Sequence, residues 1–198
     1  MSMKSILVFC GSGVGNDDQI IAQTKQLGTL LAENNIRLIY GAGNLGLMGL
    51  IANQVLSKGG EVVGVIPKFM MDKELAHKGL TELYIVDTMH QRKQKMAELA
   101  DAVITLPGGI GTMEELFEFF TWLQLQLHNK PIGILNTNGF YTSLILQLKE
   151  MVSRKFLMQE NLDQLLIETE PETLLNRILK IKQTESVKDF YNKVKNLG

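Results

Sequence analysis

The chain contains Leu106-Pro-Gly-Gly-Ile-Gly-Thr-Met-Glu-Glu115, a run that combines three glycines, a helix start and two carboxylates. It follows Asp101-Ala-Val-Ile-Thr, a short apolar segment rich in β-branched residues, and leads into a long hydrophobic helix predicted over Glu114 to His128. The run is therefore a strand-to-helix loop. Backbone N–H groups and the positive end of the helix dipole face any anion bound at such a junction, and its glycines let a phosphate approach the backbone.

Apolar strands alternate with helical patterns along the whole chain. Strands are predicted over Ser5 to Cys10, Arg37 to Tyr40, Glu61 to Ile66, Leu83 to Val86, Ala102 to Leu106, Pro131 to Leu135 and Leu165 to Glu168. Helices are predicted over Asp18 to Glu33, Leu47 to Ser57, Met89 to Ala100, Glu114 to His128 and Tyr141 to Val152, with a last one from Pro171. This alternation predicts an α/β fold of the doubly wound, Rossmann-like type, in which helices cover both faces of a mainly parallel sheet. Ligands bind outside the carboxyl ends of the strands in such folds.

The length of 198 residues fits one sizeable domain, which we expect to span residues 1–180, with residues 181–198 as a peripheral helix or loose tail. A net charge of -1 gives no electrostatic footprint for nucleic acid or for an anionic membrane. We therefore expect a small-molecule ligand, with no nucleic acid and no membrane as partner.

The single cysteine, Cys10, lies in an apolar strand and cannot form an internal disulfide. It reads more readily as a small core residue than as a nucleophile, and a reducing compartment fits it best. Lys4 is followed by only five apolar residues, too few for the hydrophobic region of a signal peptide. These features predict a cytoplasmic protein.

Two further strand-to-helix turns are rich in glycine: Gly11-Ser-Gly-Val-Gly15 and Gly41-Ala-Gly-Asn-Leu-Gly46. Both can be tight turns that need positive φ, or ligand contacts. The second fits G-x-G-x-x-G, but the acidic residue at the right spacing, Glu61, starts its strand instead of ending it, which disfavours a dinucleotide cofactor. No loop matches the P-loop pattern of triphosphatases.

Arg92 and Lys93 lie on the flanks of the apolar stripe of their helix. Charged groups there either reach water, form structural pairs or meet an anion. Arginine suits a phosphate or a purine face but is a poor proton donor. The spacing from Thr112 to Glu115 matches a capping box, in which the carboxylate only ties down the helix start, and Glu114 could be a favourable first-turn charge. The competing interpretation places Glu115 beside the sugar of a bound nucleotide.

Two signatures occur together in this chain. Pro107-Gly-Gly-Ile-Gly-Thr-Met-Glu-Glu115 matches P-G-G-x-G-T-x-x-E, and Met89-His-Gln-Arg-Lys93 matches M-H-x-R-K. With them the chain resembles the LONELY GUY (LOG) family of cytokinin-activating phosphoribohydrolases, often mislabelled lysine decarboxylases. The resemblance covers roughly residues 5–160. It departs from the family pattern at Ala42 and Gln126, where glycine is usual, and at Gly13, where serine is common.

This resemblance implies a Rossmann-like homodimer that hydrolyses the N-glycosidic bond of AMP, or of N6-substituted AMP, to ribose 5-phosphate and the free base. Arg92 and Glu115 would form the catalytic pair. The substrate-binding residues would be Gly11, Ser12, Gly43, Met89, Lys93, Pro107, Gly108, Gly109, Gly111 and Thr112. A non-catalytic nucleotide sensor or carrier that keeps the phosphate loop is the alternative.

The predicted helix from Leu116 to Leu127 is apolar around most of its circumference, with Leu116, Phe120, Leu123 and Leu127 as its main stripe. It is either a wholly buried central helix or a dimer interface, and the resemblance favours the interface. The three histidines lack metal-site spacing, and no lysine stands in a recognisable context for a Schiff base with pyridoxal phosphate. We expect neither a metal nor a cofactor.

Overall fold

The computed structural model describes residues 3–71 and 76–181. Its strands are β1 (Ser5–Phe9), β2 (Arg37–Tyr40), β3 (Val62–Pro67), β4 (Glu82–Val86), β5 (Ala102–Thr105), β6 (Ile132–Leu135) and β7 (Leu165–Glu168). The helices are α1 (Asp18–Glu33), α2 (Gly46–Ser57), α3 (Met89–Leu99), α4 (Ile110–Gln124), α5 (Thr142–Ser153), α6 (Gln159–Leu162) and α7 (Pro171–Lys180). Within those residues no helix is both long enough and apolar enough to cross a membrane.

The strands form one sheet in the order β4-β3-β2-β1-β5-β6-β7, and every neighbouring pair is parallel. The predicted doubly wound α/β fold is confirmed. The chain enters at the centre, winds outward to β4, and returns to place β5 beside β1. This reversal leaves a crevice between the carboxyl ends of β1 and β5, where open α/β sheets bind their ligands.

Two hydrophobic layers cover the sheet, because successive strand residues point to opposite faces. Ile6 and Val8 pack with α1, α2 and α7 on one face. Leu7 and Phe9 pack with α3, α4 and α5 on the other. Both helices that carry the family signatures, α3 and α4, therefore lie on the same face of the sheet.

The start of α4 differs from the prediction. Gly109 is the N-cap residue and the helix begins at Ile110, so Thr112 already lies inside the first turn. Glu115 falls in the second turn, which makes the capping-box interpretation wrong. The Thr112-to-Glu115 spacing is a chance match, because a capping box needs Thr112 at the N-cap and Gly109 occupies that position. The glycines suggested that the loop continues here, but they belong to the cap and the first turn.

The end of α4 forms a Schellman motif. Gln126 N–H donates to the Leu123 carbonyl at 3.0 Å, and Leu127 N–H donates to the Trp122 carbonyl at 2.9 Å. Gln126 has a φ of 57°, the left-handed conformation that glycine usually supplies at this position. Leu127 lies beyond the helix and is 69% exposed, so the predicted end of this helix near His128 is wrong and the helical part of the apolar stripe ends at Leu123.

Ala42 also has a positive φ, of 65°. Both residues that replace a usual family glycine, Ala42 and Gln126, therefore occupy left-handed backbone. The other helix and strand boundaries agree with the prediction to within one residue where both ends were predicted. Three short elements were not predicted: α6 and the 3₁₀ turns Lys68–Met70 and Thr137–Gly139. The predicted tail lies almost wholly outside the described residues.

Candidate active site

The loops after β1 and β5 meet at the crevice. The Gly11 N–H donates to the Pro107 carbonyl at 3.1 Å. A Cβ on Gly108 would lie 2.2 Å from Thr112 Oγ1 and 2.9 Å from the Gly11 nitrogen, so only glycine fits there. The absence of side chains at this contact lets the two loops close on each other and brings the start of α4 to the crevice.

Among the described residues, no side chain caps the start of α4. Asp17 caps α1 and Thr88 caps α3 at the same edge of the sheet, whereas in the described part of the chain α2, α5 and α7 lack a side-chain cap as α4 does. The first amides of an α-helix have no partner within the helix. The amides at Ile110, Gly111 and Thr112 therefore form a candidate anion cradle, because the helix dipole favours an anion at this end of α4.

Arg92 is buried, with only 4% of its surface exposed. Its Nη2 donates to the Gly41 carbonyl at 2.7 Å and its Nε donates to the Val65 carbonyl at 3.1 Å. Its Nη1 lies 3.6 Å from the sulfur of Met70 and 3.9 Å from that of Met89. Carbonyls at or near the carboxyl ends of β2 and β3 thus fix the guanidinium. The helical periodicity of the sequence could not reveal these two hydrogen bonds.

Lys93 contacts α4. Its ammonium forms ion pairs with Glu114 at 2.6 Å and with Glu118 at 2.7 Å. Burial lowers the pKa of Lys93, but the two carboxylates outweigh burial and raise it. The sequence left open whether this lysine reaches water, forms a structural ion pair or meets an anion, and the structure shows a structural ion pair.

Arg92 and Glu115 line one cavity of about 270 Å³ together with the start of α4. Glu115 approaches from the second turn of α4, and Arg92 approaches from α3. Cys10 lines the same cavity, and burial, followed by the negative charge of Glu115, raises the pKa of its thiol. The cavity therefore combines the candidate anion cradle with a fixed cation and a carboxylate.

A second cavity of about 400 Å³ adjoins the first, and both are lined by Ser12 and Gly109. Its walls include Val14, Leu47 and Phe140. Ser12 and Gly109 therefore lie where the two lobes of a larger cleft join, at the predicted phosphate loop.

The cleft brings together most of the site residues predicted from the sequence. Those that line one or both lobes are Gly11, Ser12, Met89, Arg92, Pro107, Gly108, Gly109, Gly111, Thr112 and Glu115. Lys93 and Gly43 line neither lobe. The residues of the 270 Å³ cavity that the sequence did not predict as site residues are Cys10, Met48, Met70, Ile110 and Glu114. Cys10 was discoverable, because it directly follows β1 at the carboxyl edge of the sheet.

The described part of the chain contains no group of three or more His, Cys, Asp or Glu residues placed to hold a metal ion. The described residues that line the 270 Å³ cavity include no lysine, and so offer no amine for a Schiff base. Glu61 pairs with Arg37 at 2.7 Å, just before β3 begins. This position, at the edge of the sheet opposite the cleft, excludes Glu61 as a ligand for the ribose of a dinucleotide.

Residues 48–178 match the family model described as "Possible lysine decarboxylase". The chain is 47% identical to cytokinin riboside 5'-monophosphate phosphoribohydrolase LOG1 of Arabidopsis thaliana, over 78% of this chain and 72% of that protein. It is 48% identical to the cytokinin riboside 5'-monophosphate phosphoribohydrolase of Rhodococcoides fascians, over 78% of each. The molybdenum cofactor binding protein of Rippkaea orientalis shares the fold, with a TM-score of 0.65 and 20% identity over 90% of this chain and 96% of that one.

The sequence relationship agrees with the geometry of the cleft. Both signatures that carried the resemblance, at residues 89–93 and 107–115, contribute residues to the cavity that contains Arg92 and Glu115. The chain belongs to the LOG family of phosphoribohydrolases, which are N-glycosidic hydrolases.

Proposed function

We propose that this protein hydrolyses the N-glycosidic bond of AMP or of an N6-substituted AMP, a cytokinin riboside 5'-monophosphate, to ribose 5-phosphate and the free base. One observation carries this proposal: the uncapped start of α4, Arg92 and Glu115 line the same cavity. An anion site alone would fit any phosphorylated ligand. A buried cation and a carboxylate beside it fit a reaction in which opposite charges separate.

The 5'-phosphate binds at the start of α4. The amides of Ile110, Gly111 and Thr112 donate to its oxygens, and the helix dipole favours its charge. Ser12 and Gly109 border this position from both lobes of the cleft. Phosphate binding at this point fixes the ribose against α4 and carries the anomeric carbon toward Glu115.

Glu115 acts on the sugar. Cleavage of the bond between C1' and the base nitrogen leaves positive charge on the ribosyl ring, as in other glycosidic hydrolyses. A fixed carboxylate stabilises that charge or orients the attacking water. The water oxygen bonds to C1' and gives up one proton, the C1'–N bond breaks with its electron pair going to the base, and the base takes up one proton.

Arg92 acts on the leaving base. Negative charge grows on the purine as the bond breaks, and a guanidinium held by the carbonyls of Gly41 and Val65 meets that charge without reorganising. Arginine stays protonated, so it contributes electrostatically and does not supply the proton. The soft side chains of Met70 and Met89 around it exclude water and strengthen its field.

The choice of substrate rests on the relatives. The two named above act on cytokinin riboside 5'-monophosphates, and the active-site signatures of this chain match their family. Liquid chromatography tests the choice with the purified protein and three substrates: AMP, N6-isopentenyl AMP and adenosine. We expect free base from at least one monophosphate and at least hundredfold slower release from adenosine, which lacks the phosphate. Equal rates for AMP and adenosine would contradict the proposed binding of the 5'-phosphate at the anion cradle.

The same protein serves to test the alternative of a nucleotide sensor or carrier. Calorimetry with AMP measures binding, and prolonged incubation at high protein concentration measures turnover. Tight binding with no base released from either nucleotide would contradict the hydrolase and support the alternative.

We further propose that the protein is a cytoplasmic homodimer that uses the outer surface of α3 and α4. Phe117, Leu125 and Leu127 are exposed there, and a groove of about 370 Å³ is lined by residues that include His90 and Trp122. Apolar groups exposed together commonly mark a protein interface. Light scattering at micromolar concentration should give twice the chain mass. A monomer would contradict the proposal, and Leu127→Glu should shift a dimer toward monomer.

A further inference from the structure

We propose that Lys93 is a positioning residue that braces α3 against α4 and thereby sets the separation of Arg92 and Glu115. This inference rests on the proposed function, and it replaces the direct contact with substrate expected for Lys93 from the sequence. The brace comprises Lys93, Glu114 and Glu118, and the name is used for these three residues below.

Each side of the brace adjoins one residue of the catalytic pair, Arg92 and Glu115. Lys93 follows Arg92 on α3, and Glu114 precedes Glu115 on α4. Because a helix moves its neighbouring residues together, sliding or rotating α3 against α4 changes the distances within the brace and within the catalytic pair at the same time. Lys93 therefore limits the movement of α3 against α4 that would change the separation of Arg92 and Glu115.

The brace is built to resist such displacement. The side chain of Lys93 is only 11% exposed, and its ammonium meets one carboxylate at 2.6 Å and the other at 2.7 Å. Glu114 and Glu118 are four residues apart and so lie on the same side of α4. An ammonium held between two successive turns is fixed along the helix as well as across it.

Lys93 is also poorly placed to bind phosphate. It does not line the cavity, whereas Glu114 does. Two carboxylates already compensate its single positive charge, so little attraction remains for an anionic ligand. With two carboxylates and one ammonium, the brace carries a net negative charge beside the cleft. Its role therefore differs from that of Arg92, which presents a positive charge.

Three variants test the inference. Lys93→Met removes the ammonium and keeps the length of the side chain. The double variant Glu114→Gln and Glu118→Gln removes the charges that hold Lys93. Lys95→Met is the matched control, because Lys95 lies on the same helix but pairs at 3.8 Å with Glu98. Steady-state kinetics are measured well below each melting temperature, together with hydrogen exchange of residues 110–118.

We expect Lys93→Met and the double variant each to lower kcat at least tenfold, with KM within threefold of wild type. Both should speed exchange at the start of α4, whereas Lys95→Met should change neither. A lysine that binds substrate directly predicts the opposite pattern: KM rises in Lys93→Met and falls in the double variant, where the ammonium is released. That pattern, or a kcat within threefold of wild type in both brace variants, would overturn the inference.

The proposed function fails separately from the brace. A wild-type protein that releases no base contradicts the hydrolase, and exchange then decides whether Lys93 holds the two helices. Unchanged exchange in both brace variants would overturn the inference in that case. Faster exchange in both, with Lys95→Met unchanged, would support it.

Discussion

The guanidinium of Arg92 packs directly onto the backbone of Gly41: Nη2 donates to the Gly41 carbonyl at 2.7 Å, and a Cβ on Gly41 would lie 2.1 Å from the same nitrogen. Glycine at this position therefore does more than form a turn. It provides the space into which a buried cation fits, and Arg92 is consequently held in a cavity that also contains Glu115.

Gly41→Ala should displace Arg92 and lower kcat/KM about a hundredfold, because misplacing a catalytic group by about 1 Å can cost that much. Steady-state kinetics measure the loss. The double variant with Arg92→Ala is the control: if Gly41→Ala acts only through Arg92, the second substitution adds nothing to Arg92→Ala alone. Losses that simply multiply in the double variant would contradict this relationship.

The helix and strand pattern was predictable from the sequence because the hydrophobic periodicity of the sequence coincides with the pattern of buried residues in this fold. Helix α1 was predicted at its observed bounds, and strands such as β1 and β5 are short apolar runs that are buried along their whole length. The start of α4 was not predictable in this way. Gly109 and Gly111 indicate a loop, yet the first is the N-cap and the second lies in the first turn.

The site was predictable only in part, for a related reason. Strand-to-helix loops identify the carboxyl edge of the sheet, so residues 107–112 and Gly11 could be found from the sequence. The environments of Arg92 and Lys93 depend on carbonyls and carboxylates from distant segments, at Gly41, Val65 and Glu118. Periodicity places both cations on the flanks of one helix but cannot tell which of them faces the cavity.

Gln126→Gly should stabilise the protein by about 1 kcal/mol, because glycine relieves the left-handed strain at the end of α4. The gain should raise the midpoint of thermal unfolding by roughly 2–4 °C. Differential scanning calorimetry measures it. Gln124→Gly, two residues earlier at the last helical position, is the matched control and should lower the midpoint. A midpoint for Gln126→Gly at or below that of wild type would be inconsistent with the strain.

Stability should fall as the pH drops from about 7 to 5. Burial lowers the pKa of His77 and of His128 below the value in the unfolded chain, which is about 6.5. Each imidazole therefore binds a proton less readily in the folded protein than in the unfolded chain, so the unfolded state takes up more protons as the pH falls and becomes favoured. Urea unfolding at several pH values measures the fall. His128→Gln should reduce the slope, and an unchanged slope would count against the contribution of His128.

Cys10 should be nearly inert in the native protein. Burial, followed by the charge of Glu115, raises the pKa of its thiol, and only the thiolate reacts with alkylating reagents. Labelling with iodoacetamide at pH 8 should be at least a hundredfold slower in the native protein than in urea. Comparable rates in the two states would mean that the thiol is accessible and ionised, contrary to its burial.

The central claim is that Glu115 and Arg92 together cleave a glycosidic bond. Its most direct test is chromatographic measurement of free base released from AMP or N6-isopentenyl AMP by wild type, Glu115→Gln, Arg92→Ala and the control Glu33→Gln, whose carboxylate is exposed at the end of α1. We predict at least hundredfold slower release by the first two variants and a wild-type rate for the control. Release by Glu115→Gln at the wild-type rate would contradict the account.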